Sequence, residues 1–343
     1  MTVRLAIDGR PVEVPAGATL LEAARALGLR IPTLCHREGL PHYTSCMVCA
    51  VRDLGSGRFL PACSYPAAHG MEVDASSEEV RAARRRVLEL LLSEHIGDCE
   101  APCRRACPAR LRIPELLRHA ARLAWSEAAR LAADDLVLPA TLGRICPAPC
   151  EQNCRRALRD APLAIRELHW RLGESPKLIE ARTRTTAEAP RSARVTVVGA
   201  GPAGLAAAAF LRRAGVEVRL LDRAARPGGA LRDPACADRL PDAVLDAEIE
   251  EVLAAGIRFE GGFDVLEPGA LDECLRAADA VVLACGPLGR SAIESLGLRA
   301  AAHGIALARD TRQTSRPGLF AAGAVVQPMR WAVRAVADGR WAA

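Results

Sequence analysis

The sequence predicts a multidomain chain of α+β and α/β units, and three observations predict it. Residues 2–14 alternate apolar and polar side chains about Asp8-Gly9, ahead of a capped helix. Ten of the 13 cysteines fall before residue 155, in ordered spacings. A glycine fingerprint, Gly199-x-Gly201-x-x-Gly204, follows a buried-strand pattern and opens an alanine-rich helix. At 343 residues the chain has room for about two or three domains.

Half of the residues are apolar, enough for sizeable cores, while aromatics make up only 3%. The formal charge of +5, from 46 basic and 41 acidic side chains, is a mild excess. It lacks the concentrated basic face that nucleic acid requires, so no nucleic-acid partner is expected. The Arg81–Arg86 stretch reads as a solvated helix face or as a docking surface for an acidic partner. The N-terminus has no apolar signal region, and no uncharged apolar run approaches membrane-spanning length. No membrane insertion is expected, and the expected location is cytoplasmic. There thiols stay reduced, and clustered cysteines argue for metal rather than disulfides.

In chain order, the alternation over 2–14 with Asp8-Gly9 at its centre predicts a hairpin. Thr19 with Glu22 predicts a capping box that opens a Leu- and Ala-rich helix ending near Gly28. A cysteine-bearing loop follows. Hairpin, helix and loop together fit the β-grasp core of a ferredoxin, over residues 1–76. Residues 77–94 predict a helix with Val80, Val87, Leu90 and Leu91 on one side. A helical domain is expected over 77–175, with loops at its cysteines marked by Pro102, Pro108, Pro147 and Pro149. Residues 176–193 are read as a polar connector. A Rossmann-like domain is expected from 194 to 343.

Cys35, Cys46, Cys49 and Cys63 form C-x10-C-x2-C-x13-C. Soft thiolates suit iron–sulfur clusters, and four complete a cluster's outer coordination, although four cysteines also satisfy tetrahedral zinc. The run Ile31-Pro-Thr-Leu-Cys35, Cys46-Met-Val-Cys49, Cys63 and Gly70-Met71-Glu-Val73 resembles the 2Fe–2S domain of the large iron–sulfur subunit of respiratory complex I. Related hydrogenases and formate dehydrogenases share that domain. The resemblance runs through the helix ending Leu92-Ser-Glu-His95 and implies a 2Fe–2S cluster on these four thiolates.

Cys99, Cys103 and Cys107, then Cys146, Cys150 and Cys154, are two C-x3-C-x3-C triplets. With Ile113-Pro114 and Gly143-Arg-Ile-Cys146 they resemble the N-terminal helical domain of the glutamate synthase small subunit and of dihydropyrimidine dehydrogenase. The resemblance implies two 4Fe–4S clusters with interleaved ligands. Two such clusters need more ligands than the six cysteines here supply. By carry-over from these families, one cluster would use His95, Cys99, Cys103 and Cys154, and the other Cys107, Cys146, Cys150 and His169. Each histidine also reads as an ordinary helix residue. The family's leading cysteine is absent before Cys99, and the gap to Cys103 is one residue short.

The fingerprint Gly199, Gly201, Pro202, Ala203 and Gly204 sits where a strand meets a helix, and the helix stops at Gly215. A second strand ends at Asp222, which is 23 residues beyond Gly199. Glycines allow the tight turn and close approach of a pyrophosphate to the helix N-terminus, and the acid suits a ribose hydroxyl. Asp222-Arg223, Gly228-Gly229-Ala-Leu231, Ala284-Cys285-Gly286 and the closing Phe320-Ala-Ala-Gly323 resemble the FAD-binding domain of the same glutamate synthase family. The resemblance implies FAD, held by the fingerprint, Asp222, Arg223, Gly229, Leu231, Gly323 and Ala324. Two departures stand out. The stretch between Gly286 and the final motif is too short for the family's inserted NAD(P) domain. Ala324 stands where the family has an aspartate to the flavin's ribityl chain. Cys236, Cys274 and Cys285 lack mutual ligand spacing and read as small buried residues.

The expected function is an iron–sulfur flavoprotein electron-transfer subunit of a larger oxidoreductase. FAD would exchange electrons with the clusters, and substrate chemistry would sit in a partner catalytic subunit of formate dehydrogenase, hydrogenase or aldehyde oxidoreductase type. The alternatives are a standalone NAD(P)H-dependent reductase and a non-enzymatic cluster-bearing sensor or scaffold. No catalytic side-chain set is expected in this chain.

Overall fold

The computed structural model describes residues 2–39, 44–93, 100–183, 189, 191–329 and 331–343. It divides into two compact units, Met1–Asp98 and Cys99–Ala343.

In the first unit, β1 (Thr2–Ile7) and β2 (Arg10–Pro15) pair antiparallel, with Ile7 opposite Arg10. Asp8 and Gly9 between them both have positive φ, 49° and 72°. That is the two-residue turn whose twist matches the strands it joins. Helix α1 (Leu20–Ala26) opens on the expected capping box. The Glu22 amide donates to Thr19 Oγ1 at 3.2 Å, and the Thr19 amide donates to Glu22 Oε2 at 2.7 Å. Strands β3 (Ala50–Asp53), β4 (Phe59–Pro61) and β5 (Glu72–Asp74) complete a sheet in the order β2-β1-β5-β3-β4. Leu20, Leu21 and Ala24 of α1 bury against Leu5, Ile7, Val51 and Val73 of the sheet. Helix α2 (Glu78–Ser93) packs on β3, where Arg84 Nε donates to the Ala50 carbonyl at 2.8 Å. Of its four expected inward residues only Val80 is buried. Leu90 and Leu91 are 63% and 40% exposed, because the sheet reaches only the first part of the helix.

The second unit begins with short helices: α3 (Pro102–Ala106), α4 (Ile113–Ala121), α5 (Trp125–Leu136), α6 (Pro139–Ile145), α7 (Pro149–Gln152), α8 (Ile165–Glu174) and α9 (Ile179–Thr183). Pro102, Pro139 and Pro149 each stand in a first helical turn, where a missing N–H costs nothing. The prolines read as loop markers at Cys103 and Cys150 therefore start helices. Helices α6 and α8 lie almost in backbone contact: a Cβ on Gly143 would stand 2.3 Å from Trp170 Cβ, and one on Gly173 would stand 2.4 Å from the Ala140 nitrogen. The stretch expected as a connector opens with a 3-10 turn, Pro176–Leu178, that leads into α9. Buried Arg182 of α9 donates to the Leu172 and Ser175 carbonyls at 3.0 and 2.9 Å and pairs with Glu251.

A parallel sheet follows, built from β6 (Arg194–Val198), β7 (Glu217–Asp222), β8 (Arg258–Gly261), β9 (Ala280–Leu283) and β10 (Leu319–Ala321), in the order β10-β9-β6-β7-β8. Parallel neighbours need crossovers. These carry α10 (Pro202–Arg213), α11 (Pro234–Ala237), α12 (Asp242–Leu253), α13 (Ala270–Ala277) and α14 (Arg290–Ser295), and α15 (Ala332–Ala342) ends the chain. The order reverses between β6 and β9, the switch point where such sheets open a crevice at their carboxyl ends. Residues 287–318 hold α14 and no strand beyond isolated bridges, so no second nucleotide fold interrupts the sheet.

The helical region and the nucleotide fold share one core. Arg213 of α10 donates to the Asp134 and Ala133 carbonyls at the end of α5, at 2.7 and 3.1 Å. Glu248 of α12 accepts the Ala140 and Thr141 amides at the start of α6, at 2.7 and 2.6 Å.

Candidate functional site

A cavity of about 600 Å³ opens at the switch point, within the size range of small-molecule and cofactor pockets. Nine of the residues read from the sequence line it: Gly199, Gly201, Pro202, Ala203, Asp222, Arg223, Gly229, Leu231 and Ala324. Gly204 and Gly323 stand behind the wall. A Cβ on Gly204 would lie 1.7 Å from the Gly199 carbonyl oxygen, so this glycine permits the helix to sit on its own loop. Gly323 has a φ of +79°, and its amide donates to buried Asp338 at 2.5 Å. Asp338 also accepts from Arg312, and burial pushes its carboxyl up.

The cavity fits a dinucleotide on its own chemistry. Gly201 is the N-cap of α10, and the N-terminus of that helix borders the cavity. Gly201 and Gly229 form a cradle without side chains: a Cβ on Gly229 would meet Gly201 Cα at 2.8 Å. Asp222 accepts the Ala200 and Ala224 amides at 2.6 and 2.8 Å. These bonds fix the carboxylate at the cavity edge, and its remaining lone pairs are left for a hydroxyl donor.

Sequence reasoning missed part of the wall. Cys236 and Cys285, read as small buried residues, are half-buried and line the cavity, while Cys274 is buried in the core as expected. Burial pushes the Cys285 thiol up to about 11. The position of Cys285 just past β9, at the carboxyl edge of the sheet, was the available signal. Ile145 and Trp331 also line the cavity. Ile145 is the last residue of α6, and Cys146 caps that helix.

The cysteines gather in three groups. In the first unit, Cys35 is hydrogen-bonded to Cys46 and Cys63 to Cys49, and the charges of Cys35 and Cys63 interact. Backbone amides of Ser45 and Cys46 lower the Cys35 thiol to about 7, and burial with Cys49 beside it raises Cys63 to about 12. The Val48 amide donates to Cys46 Sγ at 3.5 Å, and Met47 between the paired cysteines has a φ of +54°. In the second unit Cys107, Cys146 and Cys150 interact with one another, and burial pushes all three up, Cys150 to about 12. The Ala148 amide bonds to Cys146, those of Ala109, Arg110 and Leu111 bond to Cys107, and Ala148 has a φ of +52°. Cys103 lies beside Cys154.

Left-handed residues that turn successive amides onto thiols build the anion-holding loops found at iron–sulfur sites, and hydrogen bonds to sulfur help set cluster potentials. This donor set suits clusters. Among the described residues, no three His, Cys, Asp or Glu side chains close on the position of a single metal ion. His95 and Cys99 lie outside the described residues. His169 is buried in α8, and its Nδ1 bonds to the Pro139 carbonyl at 2.9 Å. A carbonyl only accepts, so Nδ1 carries the proton and Nε2 is the nitrogen left for a ligand. Burial lowers this imidazole to about 4 and keeps it neutral. Among the described residues, no helix is long and apolar enough to cross a membrane.

Comparison with known proteins identifies the classes of domain present. Residues 1–78 match the profile of a 2Fe-2S iron-sulfur cluster binding domain. Residues 77–175 match that of dihydropyrimidine dehydrogenase domain II, a 4Fe-4S cluster domain. The NADP(+)-dependent formate dehydrogenase subunit beta of Moorella thermoacetica is 32% identical over 207 residues, 54% of this chain and 29% of its own length. The NAD-dependent dihydropyrimidine dehydrogenase subunit PreT of Escherichia coli (strain K12) is 31% identical over 191 residues, 54% of this chain and 45% of its own. An NADH-quinone oxidoreductase subunit of Rhizobium meliloti (strain 1021) is 40% identical over 97 residues, 28% of this chain and 11% of its own. In each case the chain spans less than half of the relative's length. The chain carries iron–sulfur domains of the 2Fe–2S and 4Fe–4S types together with an FAD-binding type of nucleotide fold. The profile of the pyridine nucleotide-disulphide oxidoreductases matches residues 166–339, just over half of the 343 residues, and the chain belongs to that family.

Proposed function

We propose that the chain is the electron-transfer subunit of a larger oxidoreductase, passing electrons between FAD, its clusters and a catalytic partner. The observation that carries this reading is the continuity of α6: Ile145 forms cavity wall, and the next residue, Cys146, is one of three mutually interacting thiols. Gly201, Gly229 and the N-terminus of α10 would hold the pyrophosphate, and Asp222 the ribose. Cys35, Cys46, Cys49 and Cys63 would hold the 2Fe–2S cluster. Cys107, Cys146 and Cys150 with His169 would hold one 4Fe–4S cluster, and Cys103 and Cys154 with Cys99 and His95 the other. Bound flavin supplies the exchange between one- and two-electron steps. The names of the relatives support a partner of dehydrogenase type, formate dehydrogenase among them. With no second nucleotide fold between Gly286 and β10, unaided oxidation of NAD(P)H is the weaker reading.

Anaerobic purification of the tagged chain from its native host tests this. The expected result is iron, flavin and a stoichiometric catalytic subunit. A chain that emerges alone at full expression, its flavin bleached rapidly by NADH or NADPH, overturns the subunit reading in favour of a standalone reductase.

A further inference from the structure

One face of the second unit gathers charge that neither the cavity nor the cysteine loops use. Cys103 and Cys154 interact where α3 packs on α7, and neither thiol is fully buried. Around them stand Arg104 and Arg105 in α3 with Arg110 just beyond it, and Arg155 and Arg156 in the 3-10 turn that follows Cys154 with Arg159 at its end. The acids interleaved in the same stretches are Glu100, Glu151 and Asp160. Glu100 pairs with Arg104 and Arg110 at 3.3 Å each, and Asp160 pairs with Arg156 at 2.6 Å. Glu151 accepts the Arg166 amide at 2.8 Å. The guanidinium groups of Arg105 and Arg159 are exposed and make no ion pair or hydrogen bond among the described residues. Leu158, the last residue of the turn and next to Arg159, is 86% exposed, the most of any large apolar side chain among the described residues.

An apolar centre inside a charged rim is the anatomy of a protein-binding surface, and arginine is enriched there. Six arginines against three carboxylates leave a net positive face, and such an excess steers a partner of the opposite sign and sets its orientation. The interleaved carboxylates and the lack of an aromatic platform in these stretches argue against nucleic acid.

We propose that the face formed by α3 and the turn Arg155–Leu158 with Arg159 docks an acidic electron-carrier protein, with Leu158 at its centre and the arginines as its rim. That the partner is a redox protein rests on the electron-transfer reading above, whereas the docking rests on the arginines and Leu158.

The test uses the full chain, purified anaerobically with its clusters, and a small acidic 2Fe–2S ferredoxin as probe. Binding is measured by surface plasmon resonance at about 0.01 M and about 0.15 M salt, between which the screening length falls from about 30 Å to about 8 Å. Arg155→Glu with Arg159→Glu, and separately Arg105→Glu, should weaken binding about tenfold or more at low salt and much less at the higher. Leu158→Ser should weaken it at both. Arg130→Glu, exposed on α5, should leave it unchanged. Unaltered cluster absorbance shows that each variant is folded. Equal binding by the unsubstituted chain and the Arg155/Arg159 variant, or binding that ignores salt, overturns the proposal. In a separate measurement the chain is reduced with dithionite, freed of the excess and mixed with the oxidised probe. One electron should pass from the chain to each probe cluster. Salt-sensitive binding without probe reduction keeps the docking face and overturns the electron-transfer reading.

Discussion

Replacing Glu248 by glutamine should make the protein's stability less dependent on pH, although the glutamine NH2 cannot accept and leaves one of the two backbone amides at the start of α6 without its partner. The carboxylate is fully enclosed, with the Ala140 and Thr141 amides as donors and Glu251 as the nearest acidic neighbour in charge. Burial outweighs those donors and raises the group from 4.5 to about 7. Because the folded value lies above the unfolded one, the folded chain keeps a proton that the unfolded chain has already released. The resulting stability is fully present below pH 4.5 and is lost as pH rises through about 7. At about 1.36 kcal/mol per unit, the loss across that window is about 3 kcal/mol. For a unit of this size each kcal/mol moves the melting point by about 2–4 °C, which gives a swing of about 6–12 °C. The assay is calorimetry of the wild type and Glu248→Gln at pH 5 and pH 8, at one scan rate and under anaerobic conditions. Other titrating groups cancel in the difference between the two proteins. That difference should move by the stated swing in favour of the variant on going from acid to alkali. A difference that stays flat with pH refutes the reasoning, since it means that Glu248 keeps the same charge in both states. Glu248→Ala strips the acceptor from two buried amides, at about 1–3 kcal/mol each, and should melt lower at every pH.

Gly201→Ala and Gly204→Ala separate binding from folding. The new Cβ at 201 would have Gly229 Cα at 3.8 Å as its nearest neighbour, an ordinary contact, yet it would project where a pyrophosphate approaches. This variant should keep its circular dichroism and lose flavin absorbance. The Gly204 variant would put a methyl 1.7 Å from the Gly199 oxygen and should fail to fold the nucleotide domain. Gly201→Ala that retains full flavin counts against the proposed cradle. Ala324→Asp introduces a carboxylate on the cavity wall and should tighten FAD by about 1 kcal/mol, a severalfold fall in Kd by fluorescence titration. Unchanged affinity in a folded variant shows that Ala324 is not the weak point of the site.

The features legible in the sequence are those whose partners lie close along the chain. Asp8-Gly9, the Thr19–Glu22 box and the 199–204 fingerprint each act within a few residues, and the structure forms each as read. Glu248 was not legible. It reads as one more acid in a helix rich in Asp and Glu, and its partners lie 107 and 108 residues away. Arg182 was hidden in the same way: its polar surroundings suggest a connector, but carbonyls and Glu251 satisfy it in the interior. The apolar side of α2 shows the converse error, since periodicity says which residues share a face but not how far the sheet beneath extends. Residue type alone placed Cys285 in a core. Its position past the end of β9, at a switch point, places it on a cavity wall.

These features converge on α6. The helix is held at its start by Glu248 and along its length by α8, where Gly143 closes on Trp170 and Ala140 closes on Gly173. It ends on Ile145 and Cys146, so cavity wall and thiol are adjacent residues on one short rod. Neither glycine can gain a side chain without backbone movement, so the rod has little room to shift. A site built on rigid elements keeps its parts in register better than one built on loops. Arg213 and Arg340 extend the anchoring, reaching from α10 and α15 to carbonyls at 133, 134 and 109. The nucleotide fold thus grips the helical region at several points of fixed geometry. That arrangement makes sense if the distance between cofactor and thiols has to be held constant, and has no evident use if the two regions act independently.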